Sequence, residues 1–190
     1  MNRPYINDKT YSNIDFTQTS FQKAEYDNCT FINCNFSEIY LSAVSFLECD
    51  FVDCNLSGVK IKDTSFNKVN FKGCKLLGIA FYECNPFLLA FRFEKCNLNH
   101  SQFNGLNLSN TTFLSNQIQN VDFTDTNLSH AKFSQCDLKS STFENTVLKN
   151  ADFSQAKNYS INPSKNTLTQ AKFSREHIEG LLQVFNLHIV

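Results

Sequence analysis

The sequence predicts a solenoid, a rod made by copying one short unit many times, on three observations. A large apolar residue recurs at a stride of five over most of the chain. The composition is skewed as copying would skew it, with 20 Phe and no Trp, and with 5 Gly and 3 Pro in a chain full of Asn and Ser. Cysteines keep the same stride, from Cys29 through Cys34, Cys49, Cys54 and Cys74 to Cys84, and in a second phase from Cys96 to Cys136. At 190 residues, 42% hydrophobic and 18% charged, the chain is about one domain long and can bury a sizeable core. Seventeen Lys and Arg face eighteen Asp and Glu, a formal charge of −1. That balance argues against a disordered polyelectrolyte and against a generally basic nucleic-acid binder.

The N-terminal stretch from Met1 to Asp8 lacks the apolar region of a secretory signal, so the expected location is the cytoplasm. From Tyr11 to Phe81 every fifth residue, 15 of 15, is Tyr, Phe, Leu or Ile. A second series from Leu98 to Phe153 scores 12 of 12. At 42% hydrophobic, 27 successive hits arise by chance roughly once in 10^10. Neither the helical period nor the strand period gives a stride of five. Two residues before each centre the chain prefers something compact, as at Ala24, Cys29, Val44, Thr64, Ser101 and Ala131. Each pentad thus presents two residues inward and three, mostly polar, outward.

Residues 82–97 absorb a phase shift of two between the series. Pro86 falls where the first series needs a centre, and Pro cannot donate to a strand ladder. A bulge is expected there, bending the rod or exposing Phe87 to a partner. The longest apolar run, Pro86 to Phe91, is far short of the ~20 residues of a membrane span. The repeat fades after Phe153, and residues 1–175 are read as the solenoid. Ser174 then stands as N-cap of a short helix, with Glu176 in its first turn. Ile178, Leu181, Leu182 and Phe185 follow at i, i+3, i+4 and i+7 as an apolar face. Leu187 and Ile189 alternate with His188 and Val190 as a terminal strand would. An open solenoid end must be covered, so residues 176–190 are expected to serve as a cap, a dimer contact, or both.

Units such as Cys136-Asp137-Leu138-Lys139-Ser140 and Ala151-Asp152-Phe153-Ser154-Gln155 carry a resemblance to the pentapeptide repeat family, over roughly residues 11–155 with a tail to 175. The resemblance implies an all-β fold, a right-handed quadrilateral β-helix with four pentads per square coil, closed by a short C-terminal α-helix. Residues twenty apart would then stack at the strand spacing of ~4.8 Å. Phe103, Phe123 and Phe143 form one such column, Phe113, Phe133 and Phe153 another, and Leu108, Leu128 and Leu148 lie between them.

The cysteines contain no CxxC pair, whereas zinc sites need ligands two to four residues apart. Their spacing reads as a small apolar filler at one repeat position, with a metal or redox role as the alternative. His100, His130, His177 and His188 form no catalytic or metal motif, and a filled β-helix has no central pocket. No catalytic residue, cofactor or metal ligand is assigned, and an enzyme is not expected. Function then belongs to the outer surface. Residues 24–59 hold Glu25, Asp27, Glu38, Glu48, Asp50 and Asp53 with no Lys or Arg, and taken modulo twenty Glu25, Asp27, Glu48 and Asp50 gather at one corner of neighbouring coils. This is the candidate acidic patch for a basic partner. Lys60, Lys62, Lys68, Lys72 and Lys75 then reverse the sign.

Within the family, the tail is similar to that of the quinolone-resistance (Qnr) branch, which joins tail to tail through a C-terminal helix. That branch implies a homodimer through Ile178, Leu181, Leu182 and Phe185, and binding to DNA gyrase or topoisomerase IV by imitation of duplex DNA, with protection from quinolones or toxins and no direct contact with nucleic acid or membrane. A rod of roughly 35 Å would face about twenty phosphates' worth of charge. Eighteen acids nearly cancelled by seventeen bases make the mimicry partial. The two-residue bulge replaces the two projecting loops of the Gram-negative Qnr proteins, so the loop-less members compare better. A passive interaction scaffold with another partner is the alternative.

Overall fold

A computed structural model describes residues 3–188 of the chain. Ile189 and Val190, expected in a terminal strand, lie outside the described residues. The chain winds as a β-solenoid of about eight turns. One face is a nine-stranded parallel sheet, in order Thr10–Ser12, Thr30–Ile32, Asp50–Val52, Val69–Lys72, Phe91–Glu94, Thr112–Leu114, Lys132–Ser134, Asp152–Phe153 and Lys172–Phe173. A second face begins as a four-stranded sheet of Tyr5–Asn7, Glu25–Asp27, Ser45–Leu47 and Ser65–Asn67. The other two faces are laddered by single bridges, such as Asn35↔Asn55 and Gln102↔Asp122.

Each strand is short because the pentad allows only about three extended residues before a corner. The residue two places after most centres takes a left-handed conformation, as at Asn13 (φ 56°), Asp53 (φ 52°) and Asn110 (φ 64°). Asn, Asp and Gly tolerate that conformation best. Asn fills nine of the twenty-five non-glycine positions at positive φ among the described residues, so the corners account for part of the Asn-rich composition.

Pairing runs in steps of twenty, with Phe31 on Phe51 and Phe51 on Phe71. The centres consequently stack ring on ring, Phe31–Phe51 at 4.8 Å, Phe103–Phe123 at 5.4 Å and Phe133–Phe153 at 4.6 Å, all near parallel. Rings from adjacent faces meet edge to face, as Phe113 and Phe123 do at 6.2 Å. The interior is filled by these columns, each Phe contributing about 2–3 kcal/mol by burial.

The corners are of two kinds. In a tight corner the centre's carbonyl accepts the N–H three residues on, as Phe103 accepts from Leu106 at 3.2 Å. Among the described residues, the wider corners after Phe31, Phe51, Phe71, Phe93 and Phe133 make no such bond, and each leads three residues on into a cysteine, Cys34, Cys54, Cys74, Cys96 and Cys136. After Phe31, Phe51, Phe71 and Phe93 a side chain one coil later takes over. The Cys54 thiol donates to the Phe31 carbonyl at 3.3 Å and accepts the Cys34 N–H at 3.4 Å. Asn116 does both jobs in its column, donating to the Phe93 carbonyl at 3.0 Å and accepting the Cys96 N–H at 2.7 Å. The filler reading of cysteine is therefore incomplete: the position wants a compact hydrogen-bonding group.

The register step changes from twenty at Ser65↔Asn85 to twenty-two at Val69↔Phe91, which fixes the phase shift between those pairs. Pro86 stays outside, and Phe91 turns in to pack against Phe66, the rings tilted with centroids 5.3 Å apart.

The helical tail stands where expected, but its turns are 3-10, over Arg175–Leu181 and Gln183–Phe185, rather than α. His177 (φ −123°, ψ 20°) interrupts the first segment, and so few residues cannot sustain a cooperative α-helix. Ser174 is extended at the N-cap position but makes no side-chain cap.

Candidate functional site

With the interior filled, chemistry is confined to the skin. Each polar pair Asn-x-Ser on a face is closed on itself, as when the Asn55 carboxamide oxygen accepts from the Ser57 hydroxyl at 2.8 Å. Burial pushes the Cys49 and Cys84 thiols up to about 12 and Cys136 up to about 11, so they stay protonated at neutral pH. Among the described residues, no three of His, Cys, Asp and Glu stand together as a metal site would need.

The four residues of the candidate acidic patch fall on neighbouring coils. Glu25 and Asp27 lie on one strand, Glu48 sits at the left-handed corner (φ 51°) of the next coil, and Asp50 opens the adjoining strand. Its charge is partly answered locally. Lys68 reaches Glu48 at 2.6 Å one coil on, Asn70 donates to Asp50 at 2.7 Å, and the Tyr5 hydroxyl donates to Asp27 at 2.6 Å. Both ends of the Lys68–Glu48 pair are over half exposed, so it is worth well under ~1 kcal/mol. The Lys68 partner was legible as residue 48 plus twenty; reading the charge run along the chain instead of across coils hid it.

The reversed-sign region presents Lys72 and Arg92 around Glu94, each 3.9 Å from its carboxylate. Beside it a shallow cleft of about 290 Å³ is lined by Asp50, Val52, Asn70, Lys72, Arg92 and Glu94. At the phase shift Phe87 is 73% exposed and Leu88 60% exposed, the latter at φ 54°.

In the tail, the predicted apolar face divides. Leu181 packs on the core, Leu182 is half-buried, and Ile178 and Phe185 face outward, Phe185 at 53%. Gly180 is buried against the Tyr159 ring, where a Cβ would collide with the ring and with the Tyr159 carbonyl, and its own carbonyl accepts the Ile161 N–H at 2.9 Å. The segment thus packs against the last coil through Gly180 and Leu181.

A square rod with a filled interior and parallel ladders in steps of twenty defines the class, a pentapeptide-type β-solenoid. The profile of the pentapeptide repeat region matches residues 24–86 and 85–153, and the chain belongs to the pentapeptide repeat family. No curated protein sequence matches it. Among solved structures, a trypsin-treated form of QnrB1, a plasmid-mediated fluoroquinolone resistance protein, is 18% identical with a TM-score of 0.61, covering 100% of this chain and 95% of that one. HetL, a pentapeptide repeat protein involved in heterocyst differentiation regulation in the cyanobacterium Nostoc sp. strain PCC 7120, is 14% identical with a TM-score of 0.54, covering 92% and 86%. At these identities the likeness is one of fold. No helix among the described residues is long and apolar enough to cross a membrane.

Proposed function

We propose that this protein is a non-enzymatic binding rod whose partner is a type II topoisomerase, DNA gyrase or topoisomerase IV, engaged in the cytoplasm by partial imitation of duplex DNA. The observation that carries the reading is the acidic corner of Glu25, Asp27, Glu48 and Asp50 on a polar rod. QnrB1, similar in fold, is described as a fluoroquinolone resistance protein, which gives the reading its pharmacology. The carboxylates would steer a basic DNA-binding surface toward the rod, with charge setting the encounter rate. The exposed tail residues Ile178 and Phe185, with Leu181 and Leu182 beneath them, are the contact by which two copies would join end to end.

Purified gyrase tests this in a supercoiling assay with and without ciprofloxacin. Inhibition or drug protection at micromolar protein supports it, and neither effect removes it. Light scattering of a chain truncated after Lys172 tests the tail contact, which an unchanged mass would eliminate. The second reading, a scaffold for a different protein, is favoured by the local neutralisation of Glu48 by Lys68. Capture of a defined non-topoisomerase partner, with no effect on supercoiling, would select it.

A further inference from the structure

Independently of the topoisomerase reading, we propose that two copies of this chain pair side by side and antiparallel, around the Phe87–Leu88 knob. The knob is a place where the fold and the side chains disagree. Among the described residues, every other non-glycine corner at positive φ carries a polar or charged residue or alanine, whereas Leu88 is large, apolar and 60% exposed. An exposed leucine in that conformation costs about 1 kcal/mol or more relative to what glycine would, and nothing inside the rod recovers it. The loop is also held rigid. Phe87 N–H donates to Asn85 Oδ1 at 2.9 Å, Ala90 N–H to the Phe66 carbonyl at 3.1 Å, and Val69 N–H to the Ala90 carbonyl at 3.0 Å. A fixed, strained, apolar projection points to a surface that is covered.

Its position and the charges around it select the second copy as the occupant. The strand that follows the knob, Phe91–Glu94, is the middle one of the nine, with four strands on either side. A two-fold axis through this midpoint, perpendicular to the rod, therefore lays two copies along their full length. Two strands before the midpoint stands Asp50, and two strands after it stands Lys132. On the face bearing the knob, Glu25 and Asp27 lie three coils before it, and Lys149 lies three coils after it. Antiparallel pairing sets Asp50 against the partner's Lys132, and Glu25 with Asp27 against the partner's Lys149, each contact occurring twice. The same two-fold sets the exposed Phe87 and Leu88 against the partner's Phe87 and the partner's Leu88 at its centre, so each knob covers the other.

Sedimentation velocity of the full chain at low salt tests the pairing. The wild type should run at no less than twice the monomer mass, and the lateral contact should dissociate as salt rises from ~0.02 to ~0.5 M. The double variant Phe87→Asp, Leu88→Asn should raise the dissociation constant at least ~tenfold, while thermal melting of the monomer shows that the rod still folds. Asp50→Lys and Lys132→Asp should each weaken the dimer, and combining them should restore it. Truncation after Lys172 should leave the lateral dimer in place. A monomeric wild type overturns the proposal. So does a dimer that survives the knob variant, that the charge swap fails to restore, or that tail truncation alone abolishes. None of these outcomes depends on supercoiling, so this proposal and the topoisomerase reading fail separately.

Discussion

Asn116 and Thr126 occupy the same inward position of the pentad yet answer different needs. Thr126 donates at 3.0 Å to the Phe103 carbonyl, which already accepts the Leu106 N–H. Asn116 is the partner of both a carbonyl and an N–H that the wider corner leaves open. Thr126→Val should cost about 1 kcal/mol, and Asn116→Leu at least about twice that, because it strands two buried backbone groups. Urea unfolding midpoints read the difference. Carboxylates supply a second residue-scale expectation. The Thr17 hydroxyl and N–H, with Asn35, hold Asp15 below the usual carboxylate range. Burial would raise Asp152, but the Ser154 donors and the charges of Lys172 and Lys132 outweigh it and hold the group low. A carboxyl lowered by folding stabilises above its unfolded value of about 4 and loses that contribution as pH falls through the lower folded value. Melting temperature should therefore be flat above about pH 5 and fall below about pH 4; a rise on acidification would contradict this.

The strands, corners and cap show where sequence reasoning reaches and where it stops. Stride-five centres such as Phe113, Phe133 and Phe153 are legible because a repeat averages out local noise, and their rings stack at 4.7 and 4.6 Å as the stride requires. The coil positions of Glu25, Asp27, Glu48 and Asp50 were legible for the same reason, since twenty residues make one coil. The donor role of the cysteines was not, because it depends on which corners lack the three-residue turn bond, a backbone detail that the pentad does not encode. Nor was the 3-10 form of the tail. The spacing of Ile178, Leu181, Leu182 and Phe185 fits an α-helix, but contact with Tyr159 through Gly180 holds the segment in tighter turns. Gly180→Val should lift this cap, since any side chain there strikes the Tyr159 ring. Limited trypsin digestion would then cut at Arg175 at least ~tenfold faster, with the coils before Phe153 still protected. Unchanged cleavage would show that the tail is held some other way.

On the scale of the whole molecule, the columns make a solid rod in which the core supplies the fold and the skin supplies the contacts. Phe123 touches rings above and below at 5.4 and 5.2 Å. Phe123→Ala should cost about 3–5 kcal/mol by leaving a void mid-stack, and should leave any surface interaction intact at temperatures where the rod is still folded. Reversing the acidic corner should do the opposite. The most direct measurement is titration calorimetry with purified gyrase for the wild type, for Phe123→Leu, and for the triple variant Glu25→Lys, Asp27→Lys, Asp50→Lys. The account predicts that Phe123→Leu melts lower but binds as the wild type does, while the triple variant melts within a few degrees of the wild type and loses at least ~tenfold in affinity. Binding that ignores the reversed charges yet follows the core substitution would contradict it.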